Sequence, residues 1–315
     1  MWADAVFEGG GVKAIGLIGA ATVAENRGYR WKRLAGTSAG AIIAALLAAG
    51  YTAQQLREIE TLDYTRFLPT TWWHRIPLVG SAARTWFKNG LYPSIEIERW
   101  LDEWLRPKGI HTFADLEDDR LQIVASDLTR GRLLVLPRDL QLYGLSPHEM
   151  SVARAVRMSC SIPFFFDPAK MIGRTEPRKN IIVDGGVLSN FPIWLFDRQS
   201  PRWPTFGFRL VSRSEGEPHH ITGPISLFLA LFQTMLDAHD RRYVEEKDKV
   251  RTILVPSAGV SSTDFDLTPE KSAALFESGK KAAEKFFYDW DFHQYLKNYR
   301  KKSVVTVTVN GQQRD

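Results

Sequence analysis

The chain has 315 residues, 44% of them hydrophobic, with 23 glycines, 16 prolines and a net charge of +5. This composition excludes a disordered or fibrous protein, and the length suits a single α/β domain with a large core. The basic residues are spread along the chain without a zinc-finger spacing or an RNA-binding aromatic signature, so we expect no nucleic-acid partner. The charge fits either an ordinary solvated surface or attraction to an anionic membrane.

Cysteine usage and apolar runs bear on where the protein works. Cys160 is the single cysteine, which precludes an internal disulfide and favours a reducing compartment. The N-terminus lacks the basic and apolar regions of a signal peptide. The longest apolar run, 41–49, is far shorter than the roughly 20 residues that span a bilayer. We therefore expect a cytoplasmic protein that contacts membranes, where it does so, from the surface.

Hydrophobic periodicity and the glycine positions predict a regular alternation of strands and helices. In chain order, we predict strand 5–7, helix 12–26, strand 31–35, helix 39–49, helix 94–105, strands 121–125 and 133–136, helix 147–158, strands 180–183 and 205–211, helix 224–247, strand 251–255 and helix 269–287. This order indicates a three-layer α/β/α fold with a mainly parallel central sheet. We expect one domain over residues 1–300. The Val/Thr alternation of the tail, 301–315, suits an edge strand or a loose end.

One segment, 61–90, has no clean period of 2 or 3.6. It is rich in tryptophan, phenylalanine and arginine, which suit the boundary between a membrane and water. The segment is therefore our candidate for peripheral membrane contact and substrate entry. The alternative is an ordinary core segment, because a chain with this aromatic content must bury its tryptophans somewhere.

The first motif that carries chemistry is Gly36-x-Ser38-x-Gly40, between a predicted strand and a predicted helix. A sharp turn there exposes the serine hydroxyl, and a Cβ at either glycine would crowd the turn. The dipole of the following helix favours negative charge at the serine. By itself the pattern is equally compatible with close packing at a helix start.

The second motif is a glycine run, Gly9-Gly10-Gly11, which opens a helix and leaves backbone N–H groups bare. Such a loop can hold a nucleotide phosphate or the oxyanion of an acyl-transfer intermediate. The spacing Gly9-x-Gly11-x-x-Ala14 fits a dinucleotide fingerprint, but no acidic residue follows at the end of the second strand to hold a ribose. A P-loop sequence is absent.

The third motif, Asp184-Gly185-Gly186, places a carboxylate at the end of an apolar strand. We expect Asp184 at the carboxyl edge of a parallel sheet, where open α/β sheets bind ligands. The alternative is a turn aspartate that bonds its own backbone.

Together the three motifs resemble the patatin-like phospholipases. The resemblance covers roughly residues 3–290 and extends more loosely to Ser159–Phe166, to Asn190-Phe191-Pro192 and to residues 264–267. It implies a catalytic dyad of Ser38 and Asp184. It further implies an oxyanion hole of Gly9, Gly10, Gly11 and Val12, and supporting roles for Lys13, Gly36, Gly40, Gly185 and Gly186. One departure is Ala14 where the family usually has glycine.

The resemblance implies hydrolysis of fatty-acyl esters of phospholipids without a metal, a cofactor or a histidine. The seven histidines all lie outside the three motifs, although a Ser-His-Asp triad stays open. Two further possibilities are the same dyad acting on lysophospholipids, triglycerides or small esters, and a catalytically silent protein that binds a lipid or a nucleotide. The sequence does not indicate the oligomeric state.

Overall fold

The computed structural model describes residues 1–60, 90–175, 178–211, 221–223, 246–257, 259–260 and 267–300, with six further positions between 226 and 235. Three predictions therefore lie wholly or mostly outside the described residues. These are the aromatic and basic segment 61–90, most of the helix at 224–247 and the tail 301–315.

The described residues form strands and helices in the predicted alternation. The strands are β1 Trp2–Phe7, β2 Arg30–Thr37, β3 Gly90–Tyr92, β4 Leu121–Asp127, β5 Arg132–Leu136, β6 Phe164–Phe166, β7 Ala169–Ile172, β8 Lys179–Asp184, β9 Thr205–Val211 and β10 Thr252–Pro256. The helices are α1 Ile15–Asn26, α2 Ala39–Ala48, α3 Ala53–Glu60, α4 Ile95–Leu105, α5 Val152–Cys160, α6 Glu246–Lys249, α7 Pro269–Asp289 and α8 Phe292–Tyr295. Short 3₁₀ turns connect several of them, including Gly11–Ala14 and Gly185–Val187.

Two local differences from the sequence expectation have plain causes. The helix predicted from residue 147 begins at Val152, because the Ser151 hydroxyl accepts the amide of Arg154 (3.2 Å) and caps the helix there. Strands β3, β6 and β7 are only three or four residues long, too short to show a period in the sequence.

The central sheet has the strand order β10-β9-β1-β2-β4-β8-β7, with β5 paired to β4. Strands β10, β9, β1, β2 and β4 are mutually parallel, which confirms the expected α/β class. Strands β8 and β5 run antiparallel to β4, and β7 runs antiparallel to β8. The parallel strands therefore end at one common edge, while β8 enters the sheet from that edge.

The core alternates with the pleat of the strands. On β1, Phe7 and Ala5 face the large apolar cluster beneath α1, α2, α5 and α7, while Val6 faces the opposite side. There a smaller cluster contains Ala35 of β2 and the side chains of Phe191, Ile193 and Phe196. The sheet is thus covered on both faces, as a mainly parallel sheet requires.

Helices α1 and α7 pack with unusually close backbones. A Cβ built on Gly279 of α7 would run into the carbonyl oxygen of Gly16, and one built on Gly19 of α1 would run into the backbone of Phe276. Glycine at these positions allows α7 to pack closely on α1, which lies against the sheet. Because α1 follows directly from the glycine run, this packing also sets where that run lies.

We predict that Gly279→Ala lowers the free energy of unfolding by about 1–3 kcal/mol, because the added methyl group must push the two helices apart. Urea denaturation measures the change. Lys281→Ala, at an exposed position of the same helix, is the control and should change stability by less than about 0.5 kcal/mol. Equal stability of Gly279→Ala and the wild type would contradict the packing described.

Candidate active site

The serine of the first motif lies at a sharp turn between β2 and α2, which we call the elbow (residues 36–40). Ser38 has φ 53° and ψ −127°, a backbone conformation that residues other than glycine rarely adopt. The flanking glycines allow the turn: a Cβ on Gly36 would meet the backbone of Gly40, and a Cβ on Gly40 would meet the carbonyl oxygens of Phe7 and Glu8. The strand-turn-helix context predicted for this motif is therefore present.

A second serine holds this turn in place. The amide of Ser38 donates to Oγ of Ser159 (2.9 Å), and the Ser159 hydroxyl donates to the carbonyl oxygen of Val124 on β4 (2.5 Å). Ser159 belongs to the last turn of α5 and is fully buried. Sequence reasoning missed it, although it lies in a segment that contributed to the family resemblance.

Asp184 reaches Ser38 by a route that differs from the expectation. We expected Asp184 at the carboxyl edge of the parallel strands, on a strand that runs parallel to them. The expected direction is wrong, because β8 is antiparallel to β4, but Asp184 does lie level with the carboxyl end of β2. Asp184 pairs with Ala125, one residue beyond Val124, and Val124 in turn pairs with Thr37 of β2. The aspartate is therefore level with the elbow because β8 ends there, within the sheet.

Burial dominates the electrostatics of Asp184, which is 1% exposed. Removal from water raises the pKa of its carboxyl to about 7, while the nearby Ser38 hydroxyl and the Gly186 amide lower it. Oδ1 accepts the Gly186 amide (2.8 Å), whereas Oδ2 is buried and has no hydrogen bond of good geometry within the described part of the chain. Ser38 is thus near enough to Asp184 to lower its pKa, although no hydrogen bond of good geometry joins Oδ2 to a partner among the described residues.

The glycine run lies directly against the elbow. A Cβ built on Gly9 would meet Oδ1 of Asn190 and would lie 3.2 Å from the Cβ of Ser38. Asn190 also bonds this residue twice: the amide of Gly9 donates to the Asn190 carbonyl (3.2 Å), and Asn190 Nδ2 donates to the Gly9 carbonyl (3.2 Å). Asn190 is a second functional candidate that sequence reasoning named without assigning it a role.

Unlike the amide of Gly9, the next three amides along the chain have no acceptor within the described structure. Gly11 and Val12 open the 3₁₀ turn, Gly10 caps it, and no acceptor among the described residues receives their N–H groups. Gly11 has φ 55°, in the left-handed region that favours glycine. The amide of Lys13 donates to the Gly10 carbonyl (3.3 Å), and its side chain is half-buried.

A buried carboxylate anchors the other side of the run. Oε2 of Glu8 accepts the amide of Leu210 on β9 (2.5 Å), and Oε1 lies 3.4 Å from Nε of Arg209. A Cβ on Gly10 would collide with the side chain of Leu210. The run is therefore held between β9 and Asn190.

The glycines after Asp184 complete the site. A Cβ on Gly185 would meet the carbonyl oxygen of Val124 and would lie 2.9 Å from Cγ2 of Thr37, so this turn rests on β4 and β2. Gly186 supplies the amide bonded to Asp184. The structure thus brings together all three motifs of the sequence.

The described histidines take no part in the site. These are His111, His148 and His293, and none is hydrogen-bonded or paired to Ser38 or Asp184. The other four lie outside the described residues.

Across the described ranges, no group of three or more His, Cys, Asp or Glu side chains is placed to hold a metal ion. None of the described helices has both the length and the apolar character to cross a bilayer.

Comparison with known proteins shows the family of the chain. The patatin-like phospholipase family matches residues 5–197, which include all three motifs. Protein YqhO of Bacillus subtilis (strain 168) is 46% identical over 295 residues, covering 93% of this chain and 100% of YqhO. The probable lipid hydrolase 463L of Invertebrate iridescent virus 6 is 28% identical over 194 residues, covering 60% of this chain and 61% of that protein.

The crystal structure of VipD from Legionella pneumophila has the same fold. Its TM-score is 0.56 at 16% identity, over 91% of this chain and 66% of that chain. The mixed sheet with helices on its faces fits the three-layer α/β/α architecture expected from the sequence. The chain belongs to the patatin-like phospholipase family and is a lipid ester hydrolase.

Proposed function

We propose that the protein hydrolyses fatty-acyl esters of phospholipids with a dyad of Ser38 and Asp184, through an acyl-enzyme. The observation that carries this proposal is the buried Asp184 carboxylate, whose Oδ2 is unbonded and lies beside a serine on a strained elbow. A carboxylate with the ordinary pKa near 4 is a poor base at neutral pH. A pKa of about 7 makes it a competent one.

The reaction proceeds in two halves. The Ser38 hydroxyl attacks the ester carbonyl and transfers its proton to Oδ2 of Asp184. The tetrahedral intermediate collapses, the C–O bond to the alcohol breaks, and Asp184 returns the proton to the departing alkoxide. Water then attacks the acyl-serine, gives its proton to Asp184, and the proton passes to Ser38 as the fatty acid leaves.

Backbone amides of the glycine run support the oxyanion in both halves. Gly10, Gly11 and Val12 have N–H groups without an acceptor in the described structure, and the run lies against Ser38. Gly9 was expected to contribute as well, but its amide already donates to Asn190, so we propose three donors instead of four. The N-terminus of α2 adds a favourable dipole.

A phospholipid is the substrate that best fits the other features. The net charge of +5 favours approach to an anionic lipid surface. The family match and the relative named as a probable lipid hydrolase point to lipid esters. We further propose that the segment 61–90, largely outside the described residues, makes the peripheral membrane contact.

Removing either member of the dyad should abolish hydrolysis. We expect Ser38→Ala and Asp184→Asn each to lower fatty-acid release from mixed-chain phospholipid vesicles by on the order of 10³-fold or more. Mass spectrometry of the released acids gives the rate and the position cleaved. A fluorophosphonate should label the wild type at Ser38 and leave Ser38→Ala unlabelled.

Matched controls separate catalysis from folding. Ser257 is a buried serine whose hydroxyl lacks a partner in the described structure, and Asp118 is exposed, so Ser257→Ala and Asp118→Asn should retain wild-type rates. Substantial release by folded Ser38→Ala or Asp184→Asn would refute the dyad. A wild-type protein that is neither labelled by the fluorophosphonate nor releases acid from any lipid or small ester would instead be a catalytically silent binding protein.

Closing the space beside Gly9 should weaken the oxyanion hole. In Gly9→Ala the new methyl group collides with Asn190 and presses on Ser38, so the run must move away from the elbow. We expect kcat to fall by about 10²-fold or more with KM nearly unchanged. Gly223→Ala is the matched control, because a Cβ there meets nothing within 4 Å. A Gly9→Ala enzyme with normal kcat would show that the run does not serve the reaction.

Activity should rise with pH through about 7 and then level off, because the base must be ionised and its pKa is about 7. Below that pH the rate should fall about tenfold per unit. The measurement is kcat/KM on an uncharged ester, so that the substrate does not titrate. A single limb centred between pH 4 and 5 would show that Asp184 has an ordinary pKa or is not the base.

The raised pKa of Asp184 also makes the free energy of unfolding depend on pH. Burial raises the pKa of Asp184, so the folded state binds this proton more tightly than the unfolded chain does. The stabilisation is present below about pH 4 and is lost as the pH rises through about 7. Asp184→Asn stays uncharged, so it should be more stable than the wild type at pH 8, and the difference should vanish towards pH 4.

A further inference from the structure

The last turn of α5 contacts both members of the proposed dyad through consecutive residues. Oγ of Ser159 receives the amide of Ser38, and the carbonyl of Ser161 receives the amide of Asp184 (2.9 Å). Between them, burial raises the pKa of the Cys160 thiol, and the negative charge of Asp184 adds to this effect. Ser159 and Ser161, at the end of α5, therefore accept hydrogen bonds from the backbone amides of both residues of the proposed dyad.

The direction of the Ser159 hydrogen bonds limits what its hydroxyl can do. The hydroxyl has one proton, and the carbonyl oxygen of Val124 at 2.5 Å accepts it. Ser159 must therefore act as an acceptor toward the amide of Ser38 at 2.9 Å. A hydroxyl committed in this way has no proton to give to the Ser38 side chain, so it takes no part in proton transfer.

The bond also meets a need of the elbow. Ser38 precedes the first residue of α2, so its amide has no partner within the helix. With φ 53° the residue is strained, and strained residues persist only where their surroundings hold them. Ser159 supplies a partner for this buried amide and ties it to β4, the strand that also positions Asp184.

We infer that Ser159 is a positioning residue of the reaction: its hydroxyl fixes the backbone of Ser38 so that the nucleophile faces Asp184 and the glycine run. This inference rests on the proposed function of Ser38. It assigns Ser159 no contact with the substrate and no role in setting the basicity of Asp184. Because the Ser38 amide is already bonded to Ser159, it is not available as an oxyanion donor.

Three substitutions at Ser159 test the inference. Ser159→Ala removes the acceptor; Ser159→Cys retains nearly the same size with a much weaker acceptor; Ser159→Thr retains the hydroxyl. On a soluble monomeric ester, we expect kcat to fall by about 10- to 100-fold in Ser159→Ala, less in Ser159→Cys and least in Ser159→Thr, with KM within about twofold of the wild type. Fluorophosphonate labelling of Ser38 should slow in the same order.

Two further readouts distinguish positioning from general support of the fold. Amide hydrogen exchange at Ser38 should accelerate in Ser159→Ala, whereas the pH limb near 7 should stay where it is in the wild type. The control is Thr22→Val, which removes another buried hydroxyl bonded to a backbone carbonyl, that of Ile18 at 2.9 Å, away from the site. It should leave kcat and the exchange at Ser38 unchanged.

The inference is overturned if Ser38 exchange rises in Ser159→Ala while kcat stays normal, because the bond would then be structural only. A shifted pH limb would also overturn it, since Ser159 would then act on Asp184. If Ser159→Ala does not fold, the other two variants decide. A higher kcat in Ser159→Thr than in Ser159→Cys supports the inference, and the opposite order overturns it. Failure of the dyad itself is recognised separately, by activity that survives in Ser38→Ala.

Discussion

The backbone of Ser38 lies in a conformation that costs roughly 1–3 kcal/mol for a residue with a Cβ, and the site is built around keeping it there. The elbow closes only because Gly36 and Gly40 let the chain approach itself and β1. It is held from outside by α5, through Ser159, and by contact with Gly9. If the elbow relaxed, the Ser38 hydroxyl would move away from Asp184 and from the glycine run.

In the proposed mechanism, burial of Asp184 supplies the base, and above about pH 7 the same burial lowers the free energy of unfolding. A carboxylate that is 1% exposed and has one unbonded oxygen resists ionisation, so its pKa rises to about 7. More hydrogen-bond donors would stabilise the anion and the folded protein, but they would also lower the pKa and leave a weaker base. The single bond from Gly186 is a compromise: it orients the carboxylate while Oδ2 stays available to Ser38.

Sequence patterns predicted the features that depend on neighbours in the chain. The strand-turn-helix at Ser38 and the glycine run ahead of the first helix follow from glycine placement and apolar runs, although the 3₁₀ turn at Gly11 was not predicted. The direction of β8 was not predictable, because an apolar strand has the same pattern in either orientation and its partner decides. The roles of Ser159 and Asn190 were missed for a similar reason, as their partners lie 121 and 181 residues away in the chain.

Most of the contacts that hold the site end on backbone atoms: the amides of Ser38, Asp184 and Gly9, and the carbonyl of Val124. Backbone groups are present whatever the side chain, so this arrangement constrains only the few positions where a Cβ would not fit or a hydroxyl or amide is required. Other positions can vary while the strands and turns keep their places. A fold organised in this way can be shared with VipD at 16% identity and a TM-score of 0.56. In this chain, the side chains that supply such contacts are those of Ser159 and Asn190, and the positions where a Cβ would not fit include Gly9, Gly36 and Gly40.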